Sequence, residues 1–323
     1  MPRPRSRTTS RRSGAVDGHG AAAGGSRRAA GGGGGRPGAS GAAAAKAGAR
    51  PARDPGMQWK SRKLARLLEP LNTLCAVSDK LYESPLSPFL VAGQVHRLPR
   101  YVFISPGWDG PYLRVGLFAA IHGDEIAGSH ALVRLLQRWQ ENPDEVRGYE
   151  LFVYPVCNPS GFDTGTRHNA QDLDLNREFW HDPPSGQPEV RALEQELSAL
   201  QFDGIISLHA DDTSEGLYGL VNGASLTRYV LEPALNAAER YLPRNHDASI
   251  DGFAAHNGIV MEPCPQCYRG VLSAPEESAP RPFEIVFETP QGAPLEAQIH
   301  AHMAAVHTML ETYRVMRSEA QNI

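Results

Sequence analysis

A histidine and a glutamate three positions apart, in the run His122-Gly123-Asp124-Glu125, follow a short apolar stretch, and together they can offer one nitrogen and one oxygen to a metal ion. Alone the pair carries little, because an acidic residue at a helix start is an ordinary cap. Asn158, His209 and Glu288 repeat the placement: each comes immediately after an apolar, strand-like run. That coincidence is the stronger signal. In a parallel-rich sheet the carboxyl ends of the strands share one edge, so residues as distant as His122 and Glu288 can converge on the crevice there. Two histidines and a glutamate with an open fourth position form a ligand set for catalytic zinc, and a further glutamate outside the set can act as general base on the bound water. The competing reading is four core or surface residues that share strand ends by accident.

The elements that would position these residues can be read from periodicity. Leu113, Val115, Leu117, Phe118 and Ile121 form a strand-like run, Gly123 allows a tight turn, and Ile126, Leu132, Val133, Leu135 and Leu136 recur at helical spacing. Residues 150–157 form a strand that runs into Asn158-Pro-Ser-Gly161. Residues 204–208 and 283–287 are two more strands, ending at His209 and Glu288. Upstream, residues 59–71 read as a basic amphipathic helix, and residues 89–96 and 100–107 as two strands. Pro188 opens a helix with Val190, Leu193, Leu197 and Leu200 on one face, and Ser225 is placed to cap a helix running to Leu242. A closing helix from Leu295 to about Arg317 has Ile299, Met303, Val306, Leu310 and Tyr313 at core spacing, which assigns His300, His302 and His307 to the surface. Residues 162–180 keep no period but contain Arg167 and Asp172-Leu-Asp-Leu-Asn-Arg177, and a long polar stretch inside a compact domain is often functional. Strands alternating with helices predict an α/β fold: a single domain with a mixed, mostly parallel twisted sheet and helices on both faces.

Composition divides the 323 residues in two. Through Gly56 the chain holds eleven Lys or Arg against Asp17 and Asp54, a net of +9, so the remainder carries −13 for a total of −4. Residues 1–56 contain no Leu, Ile, Phe, Tyr or Trp, and nothing in them offsets the entropy of ordering. They are expected to be a disordered Gly/Ala/Arg-rich leader, with residues 57–323 as the catalytic domain. Arg11-Arg12 is not followed by an apolar region, which argues against a twin-arginine signal. No apolar run is long enough for a membrane span, and neither a membrane nor a specific nucleic-acid partner is expected. The expected compartment is the cytoplasm. Cys264-Pro-Gln-Cys267 has no second Cys-x-x-Cys to complete a zinc site.

The ordered motifs His122-x-x-Glu125, Asn158-Pro-x-Gly161, Arg167, Asp174-x-Asn176-Arg177, His209 and Glu288 resemble those of the zinc metallocarboxypeptidase superfamily, over roughly Leu113 to Pro290. That superfamily includes carboxypeptidase A, the murein-peptide carboxypeptidases and the succinylglutamate desuccinylase/aspartoacylase branch. The resemblance implies that His122, Glu125 and His209 bind one zinc per chain and that Glu288 activates the zinc-bound water. It implies that Arg167 stabilises the oxyanion, that Asn176 and Arg177 grip the substrate's terminal carboxylate, and that Asp174 orients His122. Tyr268 stands about where the superfamily has a mobile tyrosine, with Tyr218 as a competitor. Asp124 and the Ala-Asp-Asp after His209 depart from the usual pattern.

Both branches of the superfamily cut an amide beside a free carboxylate, so a small peptide and an N-acyl amino acid are the two substrate classes. Only a helix is expected after Glu288, whereas the deacylase branch resembles a chain with a C-terminal β domain, and this favours the carboxypeptidase. A non-catalytic binding protein on the same fold is the reading from another class. Asp211, Asp212, Glu215, Glu276 and Glu277 are either a solvated acidic surface or carboxylates that favour a cationic leaving residue.

Overall fold

The computed structural model describes residues 61–261 and 269–320. The 1–56 leader, Tyr268, Cys264 and Cys267 lie outside the described residues. The first helix, α1 (Arg62–Val77), starts where the Ser61 hydroxyl accepts the Leu64 N–H at 3.1 Å. Leu64, Leu67, Leu68 and Leu71 recur every three or four residues and are all buried.

The chain then lays down β1 (Leu81–Glu83), β2 (Phe89–Val91), β3 (Gln94–His96), β4 (Tyr101–Ile104), β5 (Leu113–Ala119), α2 (Ile126–Glu141), β6 (Tyr149–Tyr154), α3 (Pro159–Thr164), α4 (Pro188–Leu200) and β7 (Gly204–Asp211). It continues through β8 (Tyr218–Val221), α5 (Ala224–Leu226), a wide helical turn at Thr227–Leu231, α6 (Glu232–Ala238), β9 (Ser249–Ile250), β10 (Phe253–His256), β11 (Ile259–Val260), β12 (Phe283–Pro290) and α7 (Leu295–Ala320).

Among the described residues, ten strands form one mixed sheet in the order β1-β4-β6-β5-β7-β12-β8-β11-β10-β9, and β2 and β3 pair separately. The four central strands β6-β5-β7-β12 are parallel. Their apolar runs are continuous because both faces are covered. Val115, Leu117, Ile206, Leu208, Ile285 and Phe287 pack with α1, α2, α6 and α7 on one face. Phe118, Phe152, Tyr154 and Ile205 pack with Val190, Leu193 and Leu197 of α4 on the other. After β5 the chain adds β6 on one side, then returns to add β7 on the other. This reversal opens a crevice beyond the carboxyl ends of β5 and β7, where open α/β sheets take ligands. No helix among the described residues is long and apolar enough to cross a membrane.

Four local expectations change. The segment 89–96 is a hairpin rather than one strand, because Ala92 and Gly93 both take left-handed dihedrals and reverse the chain. The helix expected from Ser225 to Leu242 starts after Gly223 instead, widens at Thr227–Leu231 and ends at Ala238. Pro233 has no N–H to give the preceding turn, which accounts for the interruption. Strands β7 and β12 are longer than expected, so His209 and Glu288 sit inside them. The fourth change is His302, expected at the surface and fully buried. It lies three residues after Ile299 and four before Val306, on the face that packs, and burial pushes its imidazole down to about 3.

Candidate metal and substrate site

The loop between β5 and α2 carries His122 and Glu125, and its shape depends on glycine. A Cβ on Gly123 would lie 2.0 Å from the Gly161 carbonyl carbon and 2.2 Å from the Phe162 nitrogen, so the loop can approach the start of α3 only with no side chain there. Asn158 caps α3, its side-chain oxygen accepting the Gly161 N–H at 2.9 Å, while its amide nitrogen donates to the Arg167 carbonyl at 3.3 Å. The Gly123 N–H donates to the same carbonyl at 3.2 Å. Asn158 thus pins the segment that carries Arg167 rather than facing the cavity itself.

Glu125 is the junction of the site. One carboxylate oxygen lies 2.5 Å from His122 Nδ1, and the other lies 3.0 Å from His209 Nδ1 and accepts the Ala210 N–H at 3.1 Å. The two imidazole centroids are 5.1 Å apart, and all three side chains are buried. One ligand atom from each residue falls within 4.8 Å of the others, so the trio can hold a metal ion. The donor chemistry fits: two ring nitrogens and a carboxylate, all buried, converge at the cavity. Each ring is oriented from behind, His122 Nε2 by Asp174 at 3.2 Å and His209 Nε2 by the Ser207 hydroxyl at 2.9 Å.

The charge states follow from these contacts. Burial works to raise the Glu125 carboxyl, but the two histidines outweigh it and hold it down at about 2. Burial likewise opposes His122, yet its hydrogen bonds to Asp174 and Glu125 raise it above its ordinary value. Asp174 is held well below the usual carboxylate range: its burial is outweighed by the His122 hydrogen bond and by the charges of His122, Arg167 and Arg177. Arg167 bonds the second Asp174 oxygen at 3.1 Å and reaches Glu125 at 3.4 Å.

Glu288 faces the trio from β12. It pairs in register with His209 on β7 and with Tyr218 on β8. Burial raises its carboxyl to about 8; His209 opposes this, and Glu125, Asp211 and Asp251 reinforce it. The Asp174 oxygen that meets His122 also caps the short turn Leu175–Arg177 by accepting the Asn176 N–H at 2.9 Å. The Asn176 side-chain oxygen accepts the Leu272 N–H at 2.9 Å, and Arg177 forms no ion pair among the described residues.

One cavity of about 910 Å³ brings together His122, Glu125, Arg167, Asn176, Arg177, His209 and Glu288. Of the acidic residues considered for specificity, Asp211 and Asp212 line it, whereas Glu215, Glu276 and Glu277 are exposed outside it. Ser207, Asp251 and Glu284 are among the lining residues not singled out from the sequence. Ser207 could have been, since strand alternation puts it on the face of His209. Asp251 sits with Gly252 in a two-residue hairpin between β9 and β10, both left-handed, and Asp-Gly is a recognised signature of that turn. Glu284 had no comparable signal. Tyr218, the alternative to Tyr268, is buried and donates its hydroxyl to Asp211 at 2.9 Å.

Comparison with known proteins agrees with this architecture. The profile of the succinylglutamate desuccinylase/aspartoacylase catalytic domain matches residues 111–222. A stretch of 103 residues is 32% identical to Carboxypeptidase SOL1 of Arabidopsis thaliana, covering 28% of this chain and 21% of that protein, so the match spans about a fifth of that relative's length. Among solved structures, a candidate metallopeptidase from Shewanella amazonensis superposes with a TM-score of 0.64 at 22% identity, covering 78% of this chain and 97% of that one. A metallo-carboxypeptidase from Burkholderia cenocepacia gives 0.58 at 17% identity, with 79% and 69% covered. A succinylglutamate desuccinylase from Silicibacter gives 0.50 at 14% identity, with 73% and 68% covered. At these identities the likeness is one of fold.

Proposed function

We propose that this chain, whose fold is that of the zinc carboxypeptidase-like superfamily, is a zinc-dependent carboxypeptidase that hydrolyses the C-terminal peptide bond of a short peptide. The observation that carries this reading is the meeting of His122, Glu125 and His209 with Glu288, Arg167 and Arg177 around one cavity. His122, Glu125 and His209 would hold zinc, which would supply Lewis-acid polarisation of a carbonyl and make water more acidic. Arg177, which forms no ion pair among the described residues, and Asn176 hold the substrate's terminal carboxylate. Arg167 lies beside the trio and stabilises the negative charge that develops on the scissile carbonyl oxygen. The Glu288 carboxylate takes a proton from the attacking water and passes it to the leaving nitrogen. Hydroxide thereby joins the acyl carbon as the C–N bond breaks and the amine departs neutral.

A second reading, an N-acyl-amino-acid deacylase, is favoured by the profile match over residues 111–222. The cavity weighs against it. Besides Glu125 and Glu288 it is lined by Asp124, Asp211, Asp212, Asp251 and Glu284, against Arg167 and Arg177 as the guanidinium groups among the described residues. An acyl amino acid with two or three carboxylates meets repulsion there, while a peptide with one terminal carboxylate does not. The test is to assay zinc-loaded protein on short peptides, their C-terminal amides, N-acetylaspartate and N-succinylglutamate. Cleavage of the free-acid peptides, with little on the amides, supports the carboxypeptidase. Faster turnover of either acyl amino acid overturns it.

A further inference from the structure

Behind the sheet edge that carries His209 and Glu288, a buried polar knot links both strands to α7. Thr289, the residue after Glu288, is fully buried. Its hydroxyl oxygen lies 3.1 Å from the Gln298 side-chain oxygen, 3.2 Å from His302 Nε2 and 3.4 Å from the His209 carbonyl oxygen. The Gln298 amide nitrogen donates to the carbonyls of Gln291 at 3.0 Å and Ala293 at 2.7 Å. The His302 ring also meets the His209 main chain and packs edge-on to Phe287 at 5.7 Å.

Proton accounting orients the knot. With its nitrogen committed to two carbonyls, Gln298 must turn its oxygen to Thr289, and an amide oxygen only accepts. The His209 carbonyl also only accepts, so the single Thr289 proton goes to one of these two oxygens, and Gln298 at 3.1 Å is nearer than His209 at 3.4 Å. His302 must then donate from Nε2, which makes it the Nε2–H tautomer with a bare Nδ1, and Nδ1 indeed has no partner among the described residues. The direction runs from His302 to Thr289 to Gln298, with the turn at 291–293 tied to the end. Each member is nine-tenths or more buried, where an unmade bond is costly.

We infer that His302, acting with Thr289 and Gln298, is a positioning residue that fixes the main chain of His209 and Glu288 against α7, and so holds the metal ligand and the base in their relative places. It touches neither the trio's donor atoms nor the cavity. The inference rests on the metal-site reading above.

The test compares His302→Leu, His302→Gln and Thr289→Val with Val306→Ala, a fully buried apolar position on the same helix. Zinc affinity is read by competition with a chromophoric chelator at 25 °C, alongside the Tm of each metal-free protein. His302→Leu and Thr289→Val are expected to weaken zinc binding about tenfold, the lower end of what loss of a supporting hydrogen bond around a metal ligand costs. His302→Gln, which keeps an N–H donor, should recover most of that loss. Val306→Ala should lower Tm with zinc affinity within about twofold of wild type. Thr289→Val keeps the side-chain volume and serves if His302→Leu does not fold. Wild-type zinc affinity in both His302→Leu and Thr289→Val, or an equal loss in Val306→Ala, overturns the inference and leaves the metal site standing. Failure of the wild type to bind zinc overturns both.

Discussion

Two walls of the same cavity treat a glutamate in opposite ways, one buried and one half-buried. On the α2 side, Glu125 lies between two imidazoles and an N–H, and its carboxyl is held at about 2. On the β12 side, Glu288 has His209 opposite but shares its surroundings with Glu125, Asp211 and Asp251, and its carboxyl rises to about 8. The residue type is the same, and the environments separate the roles. A carboxylate that stays ionised and pinned suits a ligand. One poised near neutrality, with no hydrogen-bond partner among the described residues, suits proton transfer.

The comparison can be broken most severely through the histidine the two walls share. His209→Ala should abolish zinc binding and with it all zinc-dependent turnover, as checked by elemental analysis of the purified variant; full zinc content would dissolve the trio. Glu288→Gln should next lower kcat by about 10²–10⁴-fold, the usual worth of a general base, with little change in KM. Near-wild-type kcat would send the search for the base elsewhere. Arg177→Ala should act mainly on KM, by on the order of ten- to a hundredfold, which is what losing a charge-assisted contact of about 1.5–3 kcal/mol implies. A pure kcat effect would remove Arg177 from substrate binding.

The smallest effect sharpens the contrast through pH, in metal-free protein. Glu125 is depressed, so its contribution to stability is present above its ordinary value of 4.5 and lost as pH falls through about 2. Glu288 is raised, so its contribution is present below 4.5 and lost as pH rises through about 8. Glu288→Gln should therefore melt higher than wild type at pH 9 and level with it near pH 4, and Glu125→Gln should melt lower at pH 7 with the gap closing toward pH 2. Each kcal/mol corresponds to roughly 2–4 °C in a domain of this size. The Glu288 difference should fall at the low end because that side chain faces an open cavity. Parallel pH profiles for the two variants would erase the distinction.

The convergence of these side chains was legible because each follows an apolar, strand-like run, although β7 and β12 continue past His209 and Glu288. His122 and Glu125 follow the β5 run, and His209 and Glu288 follow the runs of β7 and β12, so a one-dimensional pattern implied a shared sheet edge. The order of strands was not legible, since it depends on which runs pair. The acidic residues show the same limit: Asp211 and Asp212 line the cavity but Glu276 and Glu277 do not, and charge alone cannot separate them. His302 failed for another reason. Its spacing from Ile299 and Val306 placed it on the packed face, but its polarity was read as exposure; a buried imidazole needs a partner, and Thr289 supplies one only once β12 lies against α7. The breaks at Ala92-Gly93 and Pro233 were visible as residue types, but their consequence depended on dihedrals that neighbouring residues impose.

The claim that one wall binds the metal while the other moves the proton is tested most directly by zinc stoichiometry and affinity in Glu125→Gln and Glu288→Gln, measured side by side with wild type. The account predicts about one zinc per chain in wild type and in Glu288→Gln, at similar affinity, and little or none in Glu125→Gln. Retention of zinc by Glu125→Gln, or its loss from Glu288→Gln, would contradict it.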